Sequence, residues 1–256
     1  MGESGILYGT TDAGGLGACF FYPSGCGTVF SLSPPSSPGG TWTENVLYSF
    51  NGGNDGRGPN SSVVIGTNGV LYGTTVAGGP ADTGTVFSLA PPLSSGDPWK
   101  KAVIYYLAGG NLGLPPRIVL GPRGIIFGVS GGGFGHGIVF ALTPPKSSGS
   151  GWIPNVLYEF MGSPDGDNPS GIVVLPGPVI YGTTSGGGTT QDGTVFSLTP
   201  PPSPGGAWTE NVLASFTFGD GISPIAGVTV GHNGVLYGTA NGGGAFGSGT
   251  VFSLVP

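Results

Sequence analysis

The residues of this chain that could do chemistry stand out because they interrupt a repeated background of glycine, valine and threonine. His136, Arg57 and Gln191 could each hydrogen-bond a substrate carbonyl, and His136 could also exchange a proton near neutral pH. Phe20, Phe21, Tyr22, Phe134 and Phe246 could wall an apolar ligand, with Asp82 and Asp192 as polar anchors. The competing reading is loop packing for the aromatics and a solvated imidazole for His136. No G-x-S-x-G elbow and no P-loop are present. The histidines His136 and His232 lie far apart and no zinc spacing occurs, so no metal site and no cofactor are expected. Catalysis by such residues would rest on shape, desolvation and a few hydrogen bonds, as in a pericyclic reaction or an isomerisation.

The pairs Asp55-Gly56, Asp165-Gly166 and Asp220-Gly221 recur at equivalent positions, with Leu112 in the matching place of the third repeat. One reading is a ring of carboxylates or weak calcium sites, with Asp165-Gly166-Asp167-Asn168 the most suggestive. The other is turn chemistry, since Asp accepts backbone hydrogen bonds in a turn and Gly supplies positive φ. Turn chemistry is the simpler account.

The elements that must position these residues come from a repeat. The Val-Phe pair falls at Val29, Val86, Val139, Val195 and Val251, in steps of 57, 53, 56 and 56 residues. Each full unit carries four strand-like segments. A Val/Ile-rich segment follows a proline (60–66, 117–121, 170–175, 225–231). A Leu-Tyr-Gly-Thr segment and a Thr-Val-Phe-Ser-Leu segment come next. The fourth begins at Trp42, Trp99, Trp152 or Trp208 and places apolar residues at every second position, as a pleated, half-buried strand does. Four antiparallel strands recurring about every 55 residues predict an all-β, five-bladed β-propeller of four-stranded antiparallel blades. One domain, 1–256, would contain units at 5–50, 59–107, 115–160, 169–216 and 224–256. The first unit lacks the post-proline strand and the last lacks the Trp strand, which leaves both end blades incomplete. Such end blades would expose strand edges through which a homo-oligomer could form. The Gly-rich loops between second and third strands, and those between consecutive units, share one end of the sheets, and all the candidate site residues lie in them.

Composition narrows the partners. Charged residues are 7%, the formal net charge is −6, and no basic patch exists, so nucleic acid is not an expected partner. No apolar run reaches membrane-spanning length, so no membrane insertion is expected. Cys19 and Cys26 flank the one insertion in the repeat, which points to a disulfide and a secreted protein, against the alternative of two free thiols. Asn60-Ser61-Ser62 is a lone glycosylation sequon, and no secretory signal peptide is recognisable.

The strings YSFNGGNDGRGPN, GVLYGTTVAGGPADTGTVFSL and WTENVLYSF resemble the GloVer tandem repeat of bacterial proteins, and the resemblance runs over nearly the whole chain. It implies a propeller-like fold and says little about activity. The third unit departs most, with Phe127-Gly128-Val129 for Tyr-Gly-Thr and Ile138 for Thr. In overall character, with its Pro/Ser-rich linkers, low charge and aromatic loops, the chain is also similar to fungal hetero-Diels–Alderases that join a tropolone-derived quinone methide to a terpene. That similarity implies co-capture of two apolar partners and assigns no catalytic residue. The function expected is therefore binding of an apolar small molecule, with cofactor-independent cycloaddition. The alternative is a lectin-like binding module, which should repeat its polar site residues in every unit.

Overall fold

A computed structural model describes residues 2, 5–17, 19, 24–107, 117–131, 135–147, 150–177, 179–203 and 205–256. The candidate residues Phe20, Phe21, Tyr22 and Phe134 lie outside them. The described residues form strands, turns and short 3-10 segments, with no α-helix. The chain divides into two compact units, Met1–Gly110 and Asn111–Pro256.

The first unit holds two antiparallel sheets. One is β1 (Leu7–Thr11), β2 (Thr28–Ser33) and β3 (Thr43–Ser49). The other is β4 (Val64–Ile65), β5 (Leu71–Thr75), β6 (Thr85–Ala90) and β7 (Lys100–Tyr106). The second unit holds three. These are β8 (Arg117–Leu120) to β11 (Ile153–Glu159) through β9 (Ile126–Ser130) and β10 (Ile138–Thr143), then β12 (Gly166–Val174) to β15 (Thr209–Ser215) through β13 (Ile180–Gly187) and β14 (Thr194–Thr199), then β16 (Val228–Val230), β17 (Leu236–Ala240) and β18 (Thr250–Leu254). Every sheet is a meander in chain order, and the two three-stranded sheets are the first and the last.

The repeated motifs have a packing cause. In all five sheets the glycine of the Tyr-Gly-Thr-type strand sits directly opposite the phenylalanine of the Val-Phe strand that follows it, as in Gly73↔Phe87 and Gly182↔Phe196. A methyl group on that glycine would lie 2.3–2.6 Å from the ring Cζ, so the ring lies flat over bare backbone. The pair pins the register, because a one-residue slip would put the ring opposite a residue that carries a side chain. Where both threonines are kept, the strand ends are tied by hydroxyl pairs, Thr11–Thr28 at 2.8 Å, Thr75–Thr85 at 2.9 Å and Thr184–Thr194 at 2.8 Å.

Neighbouring sheets within a unit meet through a second fixed contact. The glycine before the third-strand Val-Phe segment has φ near +100°, and a Cβ there would fall 2.5 Å (Gly27), 2.3 Å (Gly137) and 2.6 Å (Gly193) from the ring of Pro59, Pro169 and Pro224; Pro59 and Pro224 precede the next sheet's first strand and Pro169 lies within it. Trp99 meets Tyr8 edge to face at 6.3 Å, and Trp208 packs on the cluster of Phe127, Val129, Leu157 and Phe196. Phe50, Phe87, Leu71 and Leu89 form the core of the first unit.

Two local features differ from the expectation. The fourth strand does not alternate throughout: a β-bulge shifts its register at Val29/Phe30, Val86/Phe87, Val139/Phe140 and Val195/Phe196. The extra residue, Leu157 in β11, turns into the core at 8% exposure while Val156 stays 55% exposed. The first strands also vary in length, from two residues in β4 to nine in β12, and β12 begins at Gly166, inside the stretch read as loop.

Candidate functional site

The loop-bearing end of the sheets is built on one backbone arrangement. The residue after each Asp-Gly pair bridges to the far end of the next strand of its own sheet or just beyond it: Arg57 to Ala77, Asp167 to Gly186 at the end of β13, and Ile222 to Gly242. The repeat thus presents an arginine, an aspartate and an isoleucine from one structural position. The next residue links back to the preceding sheet, with Gly58 N–H donating to Cys26 O at 2.9 Å, Asn168 N–H to His136 O at 2.8 Å and Ser223 N–H to Asp192 O at 2.9 Å.

In the first unit Arg57 and Asp82, both singled out from sequence, meet as a bidentate pair, Nη1–Oδ1 2.5 Å and Nη2–Oδ2 2.7 Å. Asp82 has a left-handed backbone (φ 56) and also accepts the Gly78 N–H at 2.8 Å. Its hydrogen bonds from Arg57 hold its carboxyl below the ordinary carboxylate range. The outer fork of Arg57 is therefore committed to clamping two loops together. Cys19 and Cys26 form the disulfide, which packs with Val29 and Phe50 in the core of this unit.

In the second unit Gln191 stands at the position of Asp82 with the same left-handed backbone (φ 69) and an exposed side chain. Asp167 replaces the arginine, and it faces His136, with Nδ1 3.3 Å from Oδ1. The imidazole is about half exposed (49%) and lies over the α-carbon of Gly162, where a Cβ would come within 2.7 Å of the ring. Asp192 is half-buried, and Phe246 is 95% exposed. The structure thus joins His136 to Asp167, a residue sequence reasoning weighed only as a calcium ligand. The signal that could have found it is the change from Arg57 at the equivalent position.

The Asp-Gly carboxylates take the turn role. Asp55 accepts the Asn51 N–H at 2.8 Å and the Tyr48 hydroxyl at 2.9 Å, and Asp165 accepts the Met161 N–H at 2.9 Å and the Tyr158 hydroxyl at 3.1 Å. Among the described residues no three His, Cys, Asp or Glu side chains gather as metal ligands. What sequence reasoning missed is the partner across each carboxylate. Lys101, in β7, donates to Asp55 Oδ1 at 2.6 Å with its side chain only 4% exposed, and its ammonium lies 5.3 Å from the centre of the Phe50 ring. Burial lowers the lysine pKa, opposed by Asp55. At the same strand position β15 carries Glu210. Burial, and then the charge of Asp165, push that carboxyl up to about 7, and its buried Oε1 has no hydrogen-bond partner. Tyr48 is pushed up to about 12 by burial and Asp55, and Tyr158 is raised further by burial, Asp165 and Glu210.

The sheets and their repeated contacts define an all-β tandem-repeat protein. The model of the Gloeobacter/Verrucomicrobia repeat matches residues 94–256, well over half of the sequence, and the chain belongs to that family. No curated protein matches it in sequence. Among the described residues no helix is long and apolar enough to cross a membrane.

Proposed function

We propose that this chain is a secreted, small-molecule-binding β-propeller that captures an apolar ligand at its loop-bearing end. The observation that carries the reading lies in the second unit. Three large apolar side chains, Met161 (74% exposed), Phe218 (62%) and Phe246 (95%), stand in the loops of the same end that holds the His136–Asp167 pair. Solvated apolar side chains beside a few polar groups are what a site for apolar ligands offers. Asp167 engages Nδ1 of the imidazole, which leaves Nε2 as the edge to polarise a carbonyl. Such a site would serve cofactor-independent cycloaddition, of which the hetero-Diels–Alder reaction is the type, by holding two apolar partners in a near-attack geometry. The lectin-like alternative is disfavoured because the bridge position carries Arg57, Asp167 and Ile222 and so does not repeat one polar residue. The disulfide fits an oxidising compartment. Among the described strands β1, β3, β16 and β18 each pair on one side only, and a second copy could pair with such an edge, which light scattering would reveal.

Thermal shift against two compound panels tests the reading. Apolar polycycles should raise the melting temperature by binding the native state, and mono- and oligosaccharides should not. Phe246→Ala and His136→Ala should keep the wild-type melting temperature without ligand and lose most of the ligand-induced shift. Stabilisation by sugars alone would overturn the proposal.

A further inference from the structure

The opposite end of the second unit holds a cavity that no candidate residue touches. It measures about 240 Å³ and is walled by Ile125, Phe127, Ala141, Leu157 and Trp208, with Arg123, Thr143 and Asn155 also on its lining. A second hollow of about 410 Å³ shares Arg123, Ile125 and Thr143 and continues over Pro144, Pro145 and Lys146. The two make one slot, apolar at its inner part and cationic at its outer part.

Three observations set this slot apart from ordinary surface roughness. It is lined by the repeat that departs most from the pattern, and the departures face it. Phe127 stands where the other sheets have Tyr8, Tyr72, Tyr181 and Tyr237, and Ala141 where they have Ser31, Ser88, Ser197 and Ser253. Both changes remove a hydroxyl from the wall. Arg123 sits at the left-handed position of its turn (φ 57), where the matching turns carry Asn68 (φ 56) and Asn233 (φ 62). The charge is also out of character for the molecule. Lys and Arg number 6 in a chain of net charge −6, yet two of them, Arg123 and Lys146, line the slot, and no acid does. Neither makes an ion pair or hydrogen bond with a described residue, whereas Arg57 and Lys101 are both paired.

We propose that this slot is a binding site for a planar apolar anion, its ring system against the wall of Phe127, Leu157 and Trp208 and its anionic group at Arg123 and Lys146. A flat ring matches the aromatic walls, and a carboxylate or sulfonate matches the planar guanidinium. The site is separate from the loop-bearing end and stands or falls independently of it.

Titration calorimetry with 2-naphthoate and its neutral isostere 2-naphthamide tests this. The wild type should bind the carboxylate and bind the amide about tenfold more weakly. Arg123→Asn restores the residue that the repeat uses at this turn, so the fold is kept, and it should weaken 2-naphthoate to the level of the amide. The double reversion Phe127→Tyr with Ala141→Ser should weaken both ligands together, and His136→Ala should weaken neither. Equal binding of acid and amide by the wild type, wild-type affinity in the Arg123→Asn protein, or no binding of 2-naphthoate at millimolar concentration would each overturn the proposal.

Discussion

Asp55 and Asp165 occupy the same place in two copies of one repeat, accept the same backbone and tyrosine donors, and meet opposite charges across the strand. In the first unit Lys101 closes the nest, so the carboxylate has a buried counter-ion that also lies near the faces of Tyr48 and Phe50. In the second unit Glu210 fills that place, and one of its oxygens is buried with no donor. The backbone tolerates both because the turn is held by main-chain donors to the Asp side chain, which do not depend on the strand opposite. The difference teaches that in this repeat the turn carries the fold and the residue facing it is free to vary, even to the point of setting two acids against each other.

Exchanging the charges is the strongest way to break the comparison. Lys101→Glu would leave Asp55 facing a second carboxylate at a site only 4% exposed. It should cost about 3 to 5 kcal/mol, read as a drop in the denaturation midpoint. The opposite swap, Glu210→Lys, should stabilise by giving Asp165 the counter-ion it lacks. A smaller effect comes from pH. The Glu210 carboxyl is raised from its ordinary 4.5 to about 7, so the folded state holds its proton more tightly than the unfolded chain. That contribution is complete below pH 4.5 and is lost as pH rises to 7, and solvent screening limits it to about 1 kcal/mol. Melting temperatures from pH 4.5 to 8 should therefore fall more in the wild type than in Glu210→Gln. An identical pH profile in the two proteins would show that Glu210 does not hold its proton. The smallest effect is expected at the tyrosines. Tyr48→Phe removes one donor from a carboxylate that keeps its lysine, whereas Tyr158→Phe removes one from a carboxylate that has none. Both should cost within about 0.5–1.5 kcal/mol, with Tyr158→Phe the larger.

The five sheets and their strand order were legible because their determinants are local and repeated. The Tyr-Gly-Thr glycine and the Val-Phe phenylalanine are one contact seen from two strands, and Pro59, Pro169 and Pro224 are the partners of Gly27, Gly137 and Gly193. The bulge in the fourth strand was not legible. Val-Leu-Tyr reads as simple alternation, and only the pairing with the third strand shows that Leu157 turns inward. The candidate site was legible in part. His136 and Arg57 stood out by breaking the pattern, but their partners came from elsewhere: Arg57 is taken up by Asp82, and His136 by Asp167. Lys101 and Glu210 escaped notice because each looks like a solvated residue on an edge strand. Their significance appears only when the loop of the preceding unit folds against them.

The glycine–proline contact between sheets has a genetic consequence. The fourth repeat supplies the proline of one such contact, Pro169 against Gly137, and the glycine of the next, Gly193 against Pro224. Both halves of its two interfaces are thus encoded at fixed positions of the repeat, while the loops of that copy can drift on their own. A copy held in this way can specialise in its loops without disturbing the sheets on either side.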